Sequence, residues 1–158
     1  MINPRSWRTR MYRDGRPGRL ARVLNRIAAA LHSSGFLAPS AWVTLEVVGR
    51  RSGRTVALPL VLATHDGRRY LVSMLGRRAN WVANVRAADG AATLRHGRRE
   101  AVRLVEVDVA ERAPILRGYL AKAPGARAHF PIDRHSSLDQ FAAIAPQYPV
   151  FLITPAAP

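Results

Sequence analysis

The strongest constraint on the fold is a pair of apolar, strand-length segments that flank a short basic turn. The segments are Trp42–Val48 and residues 56–64, and the turn between them, residues 49–54, reads Gly-Arg-Arg-Ser-Gly-Arg. Two such segments joined by a glycine-containing turn predict a β-hairpin. Glycines let backbone N–H groups approach a ligand closely, and arginine forks match phosphate or carboxylate oxygens. The hairpin therefore predicts a loop that binds an anion.

Further strand and turn signals follow this hairpin. Asp66-Gly67 and His96-Gly97 are typical hairpin turns. Pro59, inside the second strand, predicts either a bulge or backbone left free to meet a ligand. The inward apolar positions shift between Leu104 and Val105, which predicts a second bulge. The remaining strands are expected over residues 69–74, 91–95, 98–107 and 150–154.

Helical periodicity occurs before, between and after the strands. Apolar residues spaced three and four apart predict an amphipathic helix over residues 20–31, and a short helix is expected over Asn80–Ala87. Asp108 is a helix cap and Pro114 fits a first turn, which predicts a helix to about residue 121. A loop is expected over residues 123–128 and a helix over 138–145. About six strands joined mainly by hairpins predict an α+β fold built on an antiparallel barrel or strongly curved sheet.

The chain is strongly basic. Its 158 residues, enough for one domain, include 25 Lys and Arg against 10 Asp and Glu, and the net charge is +15. Such a charge favours nucleic acid, an acidic membrane face or a small ligand with several negative charges. Dispersed arginines and few aromatic residues argue against nucleic acid. Residues 1–19 are predicted to form a basic, mobile arm before a single domain over residues 20–158. The arginines of this arm are Arg5, Arg8, Arg10, Arg13, Arg16 and Arg19.

Few residues offer chemistry of their own. The chain has no cysteine, no Gly-x-Ser-x-Gly elbow and no glycine-rich nucleotide-binding motif, and its five histidines are scattered. No metal site is expected, and no catalytic residue is assigned. This profile is typical of an enzyme whose reactive group belongs to a bound cofactor. The absence of a secretory signal and of a membrane-length apolar run predicts the cytoplasm.

Several motifs, taken together, resemble a known family. They are the basic turn at residues 49–54, Leu58-Pro59-Leu60, Asp66-Gly67, the run from Tyr70 to Ser73 and the Trp-x-x-Asn of Trp81 and Asn84. Over residues 42–107 the chain resembles the deazaflavin-dependent nitroreductases, which belong to the split β-barrel flavin and deazaflavin oxidoreductases. The resemblance implies an α+β split β-barrel. It also implies coenzyme F-420, a deazaflavin with a phosphate and an oligoglutamate tail, with FMN as the alternative cofactor.

The same resemblance implies where the ligands bind. The basic turn would hold the phosphate and acidic tail, whereas Pro59, Leu60 and the end of the third strand would line the deazaflavin ring. Trp81 and Asn84 would lie at the ring or its polyol, although Trp81 also fits a core position. Tyr119, and with it Tyr148, would contact the substrate. The implied cofactor residues are Arg50, Arg51, Ser52, Gly53, Arg54, Thr55, Pro59, Leu60, Ser73, Met74, Leu75, Gly76, Arg77, Trp81 and Asn84.

Two functions follow from these observations. The first is an oxidoreductase that transfers hydride from reduced deazaflavin to an electron-poor small molecule, namely a quinone, enone or nitroaromatic. The second is a membrane-associated quinone- or lipid-binding split barrel with weak or no use of the cofactor, or an FMN-binding member. Val56 and Leu75, which stand where the nitroreductase branch has basic residues, motivate the second. The basic arm and first helix predict peripheral contact with a membrane's inner face. By resemblance, a homodimer is also expected.

Overall fold

The computed structural model of the protein describes residues 12–13, 16–17 and 41–158. Within these ranges the chain forms strands, three α-helices and short 3-10 turns. The strands are β1 (Tyr12–Arg13), β2 (Arg16–Pro17), β3 (Trp42–Val48), β4 (Thr55–His65), β5 (Arg68–Val72), β6 (Ala91–His96), β7 (Arg98–Glu106) and β8 (Val150–Pro155). The helices are α1 (Asn80–Ala87), α2 (Arg112–Lys122) and α3 (Leu138–Ile144). The helix predicted over residues 20–31 lies outside the described residues.

Six strands close into an antiparallel barrel in the order β3-β4-β5-β8-β7-β6, and β6 pairs back onto β3. The hairpins β3–β4, β4–β5 and β6–β7 join neighbours in sequence. The strand β8 instead inserts between β5 and β7, with Leu71 opposite Phe151 and Leu104 opposite Ile153. The α+β split-barrel fold expected from the sequence is confirmed. β1 and β2 form a separate antiparallel pair.

Alternation of apolar residues explains the interior of the barrel. In β3, Val43, Leu45 and Val47 are buried, whereas the residues between them are only half-buried. Every second side chain of a strand points to the same face, so this pattern places one face against the core. Leu71 of β5 and Phe151 of β8 are among the fully buried side chains and meet across the β5–β8 pair.

The helices pack against the outside of the barrel. α1 contacts β3, and α2 contacts β4 and α3. As predicted, Asp108 is a cap, because its carboxylate accepts a hydrogen bond of 2.9 Å from the Ala110 N–H at a 3-10 turn before α2. Pro114 lies in the first turn of α2. None of the helices in the described part of the chain has the length and hydropathy that a bilayer span requires.

Three local predictions need correction. The bulge expected between Leu104 and Val105 is absent from the described β7–β8 pair, whose register runs unbroken from Val102 to Glu106. Val105 simply points outward and is 45% exposed. Pro59 pairs with Thr44 in an equally regular register, so it marks no bulge either. The segment predicted as a loop over residues 123–128 instead forms most of the 3-10 turn Pro124–His129.

Candidate functional site

The β3–β4 hairpin ends in a tightly bonded loop. The Gly49 N–H donates to the Arg54 carbonyl at 2.8 Å, and the Gly53 N–H donates to the Gly49 carbonyl at 2.8 Å. Ser52 Oγ accepts a hydrogen bond of 3.2 Å from the Arg54 N–H. A Cβ added at Gly49 would lie 2.8 Å from Ser52 Oγ, closer than real side chains approach. The loop's own hydrogen bonds therefore fix its shape, and a side chain at position 49 would displace Ser52 Oγ from its place in the loop.

Arg50 docks this loop onto the first turns of α1. Its backbone N–H and its Nη1 both donate to Asn84 Oδ1, at 3.2 and 2.9 Å. Nη1 also donates to the Asn80 carbonyl at 3.4 Å. Asn84 is only 5% exposed, so its amide is a fixed anchor. Arg50 thus stabilises the loop from within, and its guanidinium is already engaged with the protein.

Four exposed arginines next to this anchor lack an acidic partner. Arg51 and Arg54 lie on the loop, and Arg77 and Arg78 lie just before α1. Within residues 41–158, none of the four has a carboxylate within salt-bridge distance, 4.0 Å. Many other arginines of the barrel are paired. The paired ones are Arg69, Arg86, Arg95, Arg99, Arg103 and Arg112. Uncompensated charge therefore lies on both sides of the first turn of α1, where it can attract an anion. Exposed arginines elsewhere in the described chain, Arg68, Arg98, Arg117 and Arg134, also lack a carboxylate within this distance.

A cleft of about 640 Å³ opens beside the same helix end. It lies between the segment that follows β5 and the segment that precedes β8. These segments are neighbours because Val72 at the end of β5 pairs with Val150 at the start of β8. The lining residues are Met74, Leu75, Gly76, Arg77, Arg78, Ala79, His129, Gln147 and Tyr148.

The turn after β5 forms one wall of the cleft and touches the other. Ser73 Oγ donates to the Gly76 carbonyl at 2.7 Å, and the Ser73 N–H donates to the Pro149 carbonyl at 2.9 Å. Gly76 has a φ of +85°, which L side chains rarely adopt. A Cβ at Gly76 would lie 3.3 Å from the Gln147 carbonyl oxygen. Backbone thus lies close to backbone where the two walls meet, and a Cβ at position 76 would require the Gln147 carbonyl to move slightly.

The opposite wall is supported by aromatic rings. Tyr148 stacks on Phe130 with ring centroids 4.1 Å apart and planes 14° from parallel, and its hydroxyl donates to the His129 carbonyl at 2.7 Å. Tyr119 lies behind Phe130, with centroids 6.4 Å apart. Burial raises the pKa of the Tyr148 phenol and of the Tyr119 phenol above the ordinary value for tyrosine. Both hydroxyls therefore keep their protons at neutral pH, and the wall is uncharged at Tyr148.

The structure brings together two groups of the predicted site residues. The first is the loop, from Arg50 to Arg54, with Thr55 as the first residue of β4. The second lines the cleft and consists of Met74, Leu75, Gly76 and Arg77. Ser73 lies directly behind the second group and is 1% exposed. Asn84 connects the two groups, because it binds the loop from the helix that begins at the cleft.

Other predicted residues lie elsewhere. Pro59 lines a separate groove of about 510 Å³ on the outside of β3 and β4, with Trp42 and His96 among its neighbours. Leu60, at 7% exposure, belongs to the core. Trp81 is 4% exposed and contacts Phe151 with ring centroids 5.5 Å apart, the core position that its spacing also allowed. Tyr119, at 5% exposure, does not line the cleft; Tyr148 does.

Four cleft residues were not assigned from the sequence: Arg78, Ala79, His129 and Gln147. Arg78 carried a usable signal, since it adjoins Arg77 directly before the predicted helix. His129 and Gln147 come from segments distant in sequence, which only the pairing of β5 with β8 brings near. The described residues include no group of three or more His, Asp or Glu that could hold a metal ion.

Comparison with known proteins gives a family for most of the chain. A family model described as F420H(2)-dependent quinone reductase matches residues 24–129. The matched range contains the basic loop, α1 and most of the cleft. No curated protein matches the sequence.

Solved structures share the fold at low sequence identity. The protein Atu2129 of Agrobacterium tumefaciens strain C58, described as of unknown function, is 14% identical, with 92% of this chain and 57% of that chain covered and a TM-score of 0.54. A structure described as a domain-swapped dimer is 14% identical over 84% and 96% of the two chains, with a TM-score of 0.51. A Clostridium acetobutylicum protein described as related to general stress protein 26 is 13% identical over 81% and 84%, with a TM-score of 0.50. At such identities the likeness shows the fold alone.

Proposed function

We propose, from the premise that this chain belongs to the F420H(2)-dependent quinone reductase family, that the cleft beside α1 holds the reduced deazaflavin and receives the acceptor. Membership makes the chain an oxidoreductase that uses F420H(2) to reduce acceptors of the quinone type. The deazaflavin cofactor predicted from the sequence is thereby confirmed, and the FMN alternative has no support. The placement of both ligands within this fold is our own proposal.

The unpaired arginines carry the proposal. Arg51, Arg54, Arg77 and Arg78 flank one helix end without acidic partners in the described structure, and the coenzyme that the family uses bears a phosphate and an oligoglutamate tail. Guanidinium groups bind both kinds of oxyanion through paired hydrogen bonds. The donor set therefore fits the coenzyme. Bound there, the coenzyme would supply a hydride.

We assign the loop and the cleft different tasks. Arg51 and Arg54 would hold the acidic tail, and Arg77 and Arg78 the phosphate or the nearer part of the tail. Arg50 would act indirectly, because its hydrogen bonds to Asn84 fix the loop on α1. The cleft would hold the ring and exclude water from it, with Met74 and Leu75 as apolar lining. Orientation of two reactants in one cleft is itself a large part of the rate acceleration that such a protein can give.

The wall opposite Arg77 and Arg78 suits a flat acceptor with two carbonyl groups. Tyr148 offers an uncharged aromatic side chain held by Phe130, and Gln147 offers an exposed amide that can donate a hydrogen bond to a carbonyl oxygen. Among the acceptors considered from the sequence, quinones fit this wall best. Enones and nitroaromatics share the electron-poor character and are proposed as weaker acceptors.

Fluorescence titration tests the proposal directly. We expect coenzyme F-420 to bind the purified protein with fluorescence quenching at micromolar concentration, and FMN added in its place to bind far more weakly. Mixing the reduced coenzyme with menadione, a simple naphthoquinone, should then give oxidised coenzyme at a rate that depends on the protein. Absence of quenching at micromolar coenzyme would refute the proposed site.

Two partners are also proposed. Residues 1–19 would hold the enzyme at an anionic membrane surface, which is where lipid-soluble quinones accumulate; the arginines of this arm support the idea.

A homodimer is proposed because small split barrels often form dimers, and one solved structure of this fold is described as a domain-swapped dimer. Sedimentation of the purified protein distinguishes a dimer from a monomer.

A further inference from the structure

A buried arginine lies behind the wall that Gln147 and Tyr148 form. Arg112, the first residue of α2, is 5% exposed. Its Nε donates to the Val107 carbonyl at 2.9 Å, and its Nη2 lies 3.3 Å from Glu106 Oε1. Burial lowers the pKa of Arg112, but a guanidinium keeps its proton in a protein. A buried charge needs such partners, because unpaired it would be very costly.

Two further hydrogen bonds of Arg112 reach the wall itself. Its Nη1 donates to the Ala145 carbonyl at 3.1 Å and to the Tyr148 carbonyl at 3.4 Å. These carbonyls bracket Gln147, whose own carbonyl faces Gly76 across the floor of the cleft. The Tyr148 N–H donates back to the Ala145 carbonyl at 3.2 Å, so the bracketed segment is a single closed turn. One side chain therefore fixes both ends of the backbone that carries Gln147 into the cleft.

The partner of Arg112 is anchored in turn. Arg86, from α1, binds Glu106 through two hydrogen bonds, Nη2 to Oε1 at 2.6 Å and Nε to Oε2 at 3.0 Å. Glu106 therefore links Arg112 to α1, whose first residues adjoin the opposite wall. The two walls are thus tied to one another by side chains behind the cleft as well as by backbone at its floor.

We infer that Arg112 is a positioning residue for the acceptor: it contacts no ligand, but it sets the distance of Gln147 and Tyr148 from the wall of Arg77 and Arg78. This inference rests on the proposed function for the use of the cleft. It goes beyond that proposal because Arg112 lies outside the cleft and neither the family match nor the fold assigns it a role.

The shape of the guanidinium makes arginine specific here. Its donors lie in one plane and point in several directions, so one group reaches three carbonyls and a carboxylate. A lysine at position 112 keeps the charge but has a single nitrogen, which cannot reach all four acceptors. Arg112→Lys should therefore fold with the charge still paired to Glu106 and with the turn at residues 145–148 held less firmly.

Hydrogen–deuterium exchange tests the positioning without any ligand. In Arg112→Lys, peptides that cover residues 145–150 should exchange at least about tenfold faster than in the parent protein, whereas peptides from β3 and β4 should be unchanged. Arg69→Gln is the matched control, because it breaks the Arg69–Glu100 pair on the barrel surface, away from the cleft. Unchanged exchange over residues 145–150 in Arg112→Lys would refute the inference, whatever the protein's activity.

Kinetics then test the consequence for the acceptor. Arg112→Lys should raise the KM for menadione about tenfold, while the Kd for coenzyme F-420 changes less than twofold. Arg112→Met, if it folds, should show a larger effect in the same direction. A purely structural role would instead lower the folded fraction of both variants and leave the KM for menadione unchanged. If the parent protein binds no coenzyme while exchange responds as expected, the proposed function fails and the positioning of the wall stands.

Discussion

Among single residues, the arginines of the basic loop divide into two kinds although the sequence presents them as a run. Arg50 donates hydrogen bonds from its backbone N–H and from one guanidinium nitrogen to Asn84, so it supports the structure of the site. The guanidinium groups of Arg51 and Arg54 form no hydrogen bond or salt bridge with another described residue, and both arginines lie on a loop whose backbone is hydrogen-bonded to itself. The arginines whose side chains stay available for a ligand are thus distinguished by hydrogen bonding from the arginine that holds the loop, and a sequence motif does not reveal this difference.

Removing the two free arginines should weaken coenzyme binding. The double variant Arg51→Ala, Arg54→Ala loses two cationic contacts to the acidic tail, so its Kd for coenzyme F-420 should rise about tenfold to a hundredfold in fluorescence titration. Its affinity should also depend less on salt concentration than that of the parent protein. Arg117→Ala is the control, since Arg117 is exposed on α2 and outside the site. Equal affinity of the double variant and the control would contradict this assignment.

Two glycines with similar positive φ values should differ sharply in their tolerance of alanine. Gly90 and Gly97 have φ values of +80° and +73°. A Cβ at Gly90 would collide with the Leu104 carbonyl oxygen, whereas a Cβ at Gly97 meets no described atom within 4 Å. Gly97→Ala should cost about 1 kcal/mol in unfolding free energy through φ alone. Gly90→Ala should cost about 2 kcal/mol more, because β7 must move. Denaturant unfolding of both variants measures the difference, and equal costs would show that crowding at Gly90 is unimportant.

At the level of helices and strands, local elements could be predicted and distant pairings could not. β3, α1 and the hairpin turns follow from alternation, helical spacing and Asp-Gly or His-Gly signals. The cleft depends on β8 inserting beside β5, a contact between residues about eighty apart, for which no local pattern exists. The bulge predicted at Val105 was wrong because exposure is also set by contacts distant in sequence. Val105 follows the regular register of β7 and β8, and its side chain lies on the exposed face of the strand.

The link between α1 and β7 predicts a pH dependence of stability. The hydrogen bonds from Arg86 lower the pKa of Glu106 below its ordinary value. The stabilisation is therefore complete above the pKa of an unfolded glutamate and is lost as the pH falls through the lowered value. Glu106→Gln should lower Tm at pH 7 by about 2–4 °C, and the difference should shrink below about pH 4.

Thermal unfolding of parent and variant across this range measures the effect of Glu106. Glu111→Gln serves as the control, because Glu111 forms no salt bridge in the described structure. A Tm difference between parent and Glu106→Gln that stays constant from pH 7 to pH 3 would show that the carboxylate's charge contributes nothing.

At the level of the whole molecule, we propose different uses for two parts of the excess positive charge. The net charge of +15 is distributed over the arm and the domain, and the barrel neutralises part of its share through ion pairs such as Arg69–Glu100 and Arg99–Glu46. What stays uncompensated near the cleft suits a small anion. The arginines of residues 1–19 suit an extended anionic surface. The sequence predicts anionic partners, because charge is a compositional property, but it does not assign particular arginines to one partner or the other.

Removing the arm should therefore separate membrane binding from catalysis. A variant without residues 1–19 should lose most of its co-sedimentation with vesicles that contain phosphatidylglycerol, since about six cationic contacts disappear. Its kcat with menadione in detergent-free solution should stay within about twofold of the parent value. Vesicles of neutral phosphatidylcholine are the control surface. Equal binding of both proteins to the anionic vesicles would contradict the proposed role of the arm.

The contact between Gly76 and the Gln147 backbone has a consequence for how such a protein can diversify. Because hydrogen bonds and ring stacking behind the surface hold the frame of the cleft, the exposed side chain at position 147 can vary without altering the width of the cleft. On the proposed assignment, a library of variants at position 147 alone should leave coenzyme binding unchanged and alter which acceptors are reduced. The backbone of the site can thus stay the same while the acceptor specificity changes, with little loss of folding stability.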